Sequence, residues 1–158
     1  MAGNSDTSAL DRIWNYVEGV TTGGIPCGKY IQLAGQRFLT DLQRDDWEWT
    51  FNFESAARYI NFIERVCVHT RGELAGQPML LEPWQCFFVG QIFGWVDRSD
   101  AHRRRFSSAH LFVARKNGKS QLAAGIALAM ATLDQDGAPQ LVTAATKRDQ
   151  AREVFDEV

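Results

Sequence analysis

The sequence predicts an α/β protein: a helical amino-terminal segment followed by one strand-helix-strand-helix unit with an incomplete sheet. Three observations predict it. Apolar residues recur at three-and-four spacing as far as Trp95, which is the period of one buried helix face. Two short apolar runs then appear, at 109–113 and 141–145. Between them lies LAAGIALAMATL, too long for a strand and apolar nearly all round.

The elements follow in order. Leu10, Ile13, Trp14 and Val17 set a first helix, with Asp6 or Ser8 as its cap and the 21–24 stretch as its end. The Thr-Thr-Gly-Gly-Ile-Pro turn leads to a second helix over 29–44. Asn52 caps a third, whose buried face is Ala56, Tyr59, Ile60, Ile63, Val66 and Cys67. After the Gly72 and Gly76 loop, Pro83 suits a first helical turn, and Trp84, Phe87, Phe88, Ile92 and Trp95 make an aromatic helix destined for the core. The runs 109–113 and 141–145 read as buried strands, 121–133 as a buried helix, and 147–158 as a last helix through Ala151, Val154, Phe155 and Val158.

Composition bounds the function. At 158 residues, 45% hydrophobic and 23% charged, the chain suits one folded domain and not a disordered tail. No apolar run approaches the ~20 residues that cross a bilayer, and the start carries neither a basic leader nor an apolar signal core, so a cytoplasmic place is expected. Cys27, Cys67 and Cys86 fit neither a disulfide framework nor a zinc site and read as core thiols. A net charge of −2 gives the whole molecule no pull on nucleic acid, so any such contact needs a local patch. From 98 to 120 there are seven Lys or Arg and one acid, whereas 41–64 carries six acids and two bases.

Chemistry concentrates at V-A-R-K-N-G-K-S, residues 113–120, between an expected strand and an expected helix. Gly118, Lys119 and Ser120 match the end of the phosphate-binding loop G-x-x-x-x-G-K-[ST]. Free backbone N–H groups and the helix dipole favour an anion there. Gly118 permits close backbone approach, Lys119 places a charge on the β and γ phosphates, and the Ser120 hydroxyl joins the shell of Mg²⁺. Val113 stands where the usual motif has its first glycine, and the plainer alternative is an ordinary basic turn.

The sequence resembles the bacteriophage terminase large subunit, specifically the amino-terminal part of its ATPase domain. Four stretches carry the likeness: GELAGQP at 72–78, LEPWQ at 81–85, RKNGKS at 115–120 and AATKRDQA at 144–151. Terminase loops usually lack the first glycine, so Val113 agrees with this family. The resemblance implies a helical leader with an adenine-recognition element over 1–105, and the start of an ATPase core over 106–158. It implies ATP and Mg²⁺ as cofactors, held by Gln85, Arg115, Lys116, Asn117, Gly118, Lys119 and Ser120. Gln85 would read adenine with Trp84 beside it, the alternative being a glutamine solvated at a helix start. Arg115 would reach the γ phosphate and act with Lys119 in catalysis, the alternative being a solvated loop residue. The turn at Thr146, Lys147, Arg148 and Asp149 falls where open α/β sheets place ligands, though a plain helix start accounts for it equally.

The family's partners would be double-stranded DNA, the terminase small subunit and the portal protein, in the cytoplasm of a bacterial host, for a phage or prophage protein. An acidic strand end for Mg²⁺ and a water-activating glutamate are not found: Asp134 continues the helix of 121–133, and Asp156 with Glu157 falls on helical spacing. The chain is accordingly expected to be a shortened part of the motor, without the nuclease domain. Self-association is one way to cover its apolar helix. Two functions remain: an ATP-binding part of the DNA-packaging motor, or a non-enzymatic module that binds only nucleotide, DNA or terminase partners. A small-molecule kinase is disfavoured by Val113 and the long leader.

Overall fold

The computed structural model describes residues 8–70, 72–134, 138–147 and 152. Among them are α1 (Ala9–Thr22), α2 (Lys29–Leu42), β1 (Trp49–Phe51), α3 (Phe53–Val66), α4 (Pro83–Gly94), β2 (Trp95–Asp97) and α5 (Lys119–Leu133). The chain divides into two compact units, residues 1–60 with 81–107, and residues 61–80 with 108–158.

In the first unit, Ser8 starts α1 by a reciprocal cap. Its Oγ accepts from the Asp11 N–H at 3.1 Å, and Asp11 Oδ2 accepts from the Ser8 N–H at 3.2 Å. Gly23 ends the helix with φ +83°, a left-handed conformation that suits glycine. The face of Ala9, Ile13, Val17 and Val20 is buried, and α1 packs on α2 and α4. Gly90 lets α4 come close: a Cβ there would meet Ile13 Cδ1 at 2.8 Å. Asn52 caps α3 as expected, its Oδ1 accepting from the Ser55 N–H at 2.9 Å.

Phe38, fully buried on α2, is the hub of the core. Its ring meets Phe51 at 5.0 Å, Phe87 at 5.7 Å and Trp95 at 6.1 Å, all edge-on, the geometry that aromatic quadrupoles favour. β1 and β2 pair antiparallel in the register Trp49↔Asp97, Thr50↔Val96 and Phe51↔Trp95. Trp95, expected on the aromatic helix, is instead the first residue of β2. The 95–105 stretch folds back on itself: the Asp97 N–H donates to Arg103 O at 2.9 Å and the Arg105 N–H to Trp95 O at 3.0 Å.

That return settles much of the basic segment's charge. Arg105 pairs with Asp41 at 2.7 Å with both side chains largely buried, and its guanidinium lies over Trp47 and Trp95, at 4.5 and 5.2 Å from the ring centroids. Arg103 reaches Asp97 at 3.0 Å and Arg98 reaches Asp45 at 3.7 Å. The acid-rich and base-rich stretches of the sequence therefore partly neutralise each other in space.

In the second unit, Val68 bridges to Pro78 across a loop in which Gly72 and Gly76 have φ of +78° and +82°. α5 is held there through Gly125, where a Cβ would stand 3.0 Å from Ile63 Cγ2 and 3.5 Å from Cys67 Sγ. Leu122, Ala124, Gly125 and Ala129 are its buried positions. Val66, expected on the buried face of α3, is half exposed.

Two expectations are corrected. Neither 109–113 nor 141–145 forms a strand, and neither is buried as a run: Phe112 is 91% exposed and Val142 86%. The stacking of His110 on Phe112, two residues apart, shows that the first run is extended. A strand also needs a neighbour for its backbone groups, and among the described residues no segment pairs with either run. The helix expected over 147–158 lies almost wholly outside the described residues. Among the described residues no helix is long and apolar enough to cross a membrane.

Candidate functional site

The loop ahead of α5 is built from left-handed turns. Lys116 has φ +66° without being glycine, and Gly118, the N-cap of α5, has φ +66° and ψ +19°. Glycine takes this conformation at no steric cost, whereas a side-chain residue is strained by it. The Leu122 N–H donates to Gly118 O at 2.9 Å, the first bond of the helix. With no side chain capping the helix start, the first N–H groups keep the positive end of the helix dipole available to an anion.

The loop wraps its own lysine. Lys119 Nζ donates to Val113 O at 3.0 Å and to Ala114 O at 2.7 Å. The Asn117 amide donates to Ala114 O at 3.2 Å and to Arg115 O at 3.3 Å. Arg115, Lys116, Asn117 and Gly118 are exposed, and Lys119 and Ser120 are half-buried. Of the residues the sequence nominates, 115–120 thus form one continuous turn entering a 15-residue helix. Thr146 and Lys147 are exposed in an irregular bend, and Arg148 and Asp149 lie outside the described residues.

Gln85 belongs to the first unit and the loop to the second. At the third position of α4, Gln85 Oε1 accepts from the Glu82 N–H at 2.8 Å, closing a reciprocal cap. Gln85 is 6% exposed, so the solvated helix-start reading does not describe it. An amide has two acceptor lone pairs and two N–H donors, and the cap uses one of these four directions.

One partnership near the loop escapes sequence reading. His69 Nδ1 and Gln121 Oε1 lie 3.1 Å apart, a hydrogen bond when Nδ1 carries the proton. It ties the residue after Ser120 to the Val68–Pro78 bridge, and no local spacing signals a contact between residues so far apart in sequence. Asp134, weighed as a metal-holding acid, is the carboxyl cap of α5, its N–H donating to Met130 O at 3.2 Å.

A glycine-entered basic loop opening a long helix belongs to the class of arrangements that favour an anion in general. Comparison narrows the class: residues 83–158 match the family described as terminase large subunit, ATPase domain. The chain is 40% identical over 99 residues to the terminase, large subunit, of Enterobacteria phage HK97, a match covering 62% of this chain and 18% of that protein. No solved structure matches the chain. Through residues 83–158 the chain is similar to the ATPase domain of the terminase large subunit.

Proposed function

We propose that this chain binds ATP and Mg²⁺ through residues 113–120 and serves the DNA-packaging motor of a phage, in which ATP hydrolysis drives double-stranded DNA into a procapsid. The observation that carries the reading is the Lys119 ammonium held at the mouth of a glycine-capped helix, inside a family match that spans the loop. Phosphate oxygens replace the carbonyls around Lys119, because a charge-assisted bond to an anion outweighs one to a neutral carbonyl. Backbone N–H groups at the start of α5 take further oxygens. Arg115, exposed on the same turn, meets the charge that develops on the transferred phosphoryl group. Ser120 is the oxygen donor for Mg²⁺, a hard cation suited to a hydroxyl, and when bound the ion neutralises charge across the phosphates. Gln85 reads adenine, and DNA, the small subunit, the portal protein and further copies of the chain are the partners.

Titration of the purified chain with ATP and Mg²⁺ tests this. Lys119→Ala is expected to weaken ATP by about 1.5–3 kcal/mol, the worth of a charge-assisted contact. Equal affinity in variant and parent would remove the loop from the site.

A second reading rests on the sequence, in which Asp134 and the Asp156–Glu157 pair fall on helical spacing and not at a strand end. The chain would then bind nucleotide without turning it over, as a non-enzymatic module. Turnover beside the titration separates the two.

A further inference from the structure

Two donors converge on one carbonyl of the loop. Ala114 O accepts from Lys119 Nζ at 2.7 Å and from the Asn117 amide at 3.2 Å. Each donor also holds a neighbouring carbonyl, Val113 O for the ammonium at 3.0 Å and Arg115 O for the amide at 3.3 Å. Lys116, between the two anchored ends, sits at φ +66°, a strained conformation that persists only where its surroundings impose it. In this arrangement the turn is therefore fastened twice.

Phosphates that draw more than the one spare donor of Lys119 remove one fastening. An ammonium has three N–H donors, two of which hold carbonyls here, so a second donor turned to phosphate oxygens leaves a carbonyl. Asn117 carries no charge and has no such competitor, so its bonds to Ala114 and Arg115 outlast the exchange. We propose that Asn117 is a positioning residue: redundant with Lys119 in the empty loop, it alone holds the turn once Lys119 has moved to the phosphates. The inference rests on the reading of 113–120 as a phosphate site. It assigns to Asn117 a contact with the loop and none with the nucleotide.

The experiment compares the parent chain with Asn117→Ala, Asn117→Asp, Lys119→Ala and the Asn117→Ala/Lys119→Ala double variant. Amide hydrogen exchange of 114–118 is measured without ligand, and affinity for ATP with Mg²⁺ by titration. Asn117→Ala is expected to leave exchange in the empty loop near the parent's, because Lys119 still holds Ala114, while the double variant exchanges much faster than either single one. The same Asn117→Ala change is expected to weaken ATP about tenfold, and Asn117→Asp, which keeps the shape and replaces the donor by an acceptor, by at least as much. A purely structural brace would instead raise exchange in the empty loop of Asn117→Ala to the level of the double variant, and that result overturns the proposal. So does ATP affinity unchanged in Asn117→Ala while the parent binds. Failure of the parent to bind ATP overturns the reading of the loop as a phosphate site, and the role of Asn117 with it.

Discussion

Asp97 and Gln85 show how a single side chain can serve two ends. Asp97 Oδ1 accepts from the Ser99 hydroxyl at 2.6 Å and the Ser99 N–H at 2.8 Å, while Oδ2 faces Arg103. These donors, the Ser99 hydroxyl foremost, hold its carboxyl below the ordinary carboxylate value against the opposing effect of burial. A depressed pKa contributes stability that is complete above the unfolded value, about 4, and is lost as pH falls through the lower folded one. Asp97→Asn is therefore expected to be destabilised relative to the parent at pH 7, with the gap shrinking only below about pH 4; denaturant midpoints from pH 7 to pH 3 check this. Gln85 is both a helix cap and the candidate adenine reader, so an alanine variant confounds the two. Gln85→Glu retains an oxygen for the Glu82 N–H and loses the amide donors. It is expected to lower the melting temperature, because it places a carboxylate at a buried position beside Glu82, and to lose a preference for ATP over GTP while still binding the triphosphate. Equal binding of both nucleotides by the parent would withdraw the adenine role.

At the scale of elements, close approach decides what packs. Gly94 closes α4 directly beneath Phe51: an added Cβ would overlap the Cε2 and Cζ atoms of that ring. The ring has little room to move, being edge-on to Phe38 at 5.0 Å, to Phe53 at 5.0 Å and to Trp95 at 5.3 Å. Overpacking of this kind costs about 1–3 kcal/mol, so Gly94→Ala should lower stability by that amount with the m-value unchanged, as read by urea unfolding. The Arg105–Asp41 pair joins elements in a different way. Breaking a pair so withdrawn from water leaves an uncompensated charge, which is why α2 and the segment that returns along β2 are fixed together.

For the whole molecule, the prediction concerns turnover. Phosphoryl transfer needs an oriented water and a held metal as well as bound phosphates. Asp134 caps α5, and Asp156 and Glu157, which fall on helical spacing in the sequence, lie outside the described residues. The purified chain is expected to bind ATP yet hydrolyse it near background, with or without double-stranded DNA. Robust DNA-stimulated hydrolysis, abolished in Glu157→Gln, would show the acidic pair to be catalytic. The match covers 18% of the HK97 protein, so the activity of that larger protein is a proposal for this chain.

The helices α1 to α5 were legible because local rules place them. Ser8, Asn52 and Pro83 mark starts, the three-and-four period marks faces, and Gly118-Lys119-Ser120 marks the loop, since each signal lies within a few residues of the structure it specifies. The family likeness, too, was written in short motifs. Pairings between distant segments were not. β1 and β2 are three residues each and carry no period of their own, and only the fold brings Trp49 opposite Asp97. The runs 109–113 and 141–145 have strand composition without a ladder among the described residues, because hydrogen bonding to a neighbour is a property of the neighbour as much as of the run. Tertiary structure alone decided that Arg105 pairs with Asp41, that Arg98 reaches Asp45 and that His69 meets Gln121. Each of these depends on distances between groups that sequence spacing does not fix.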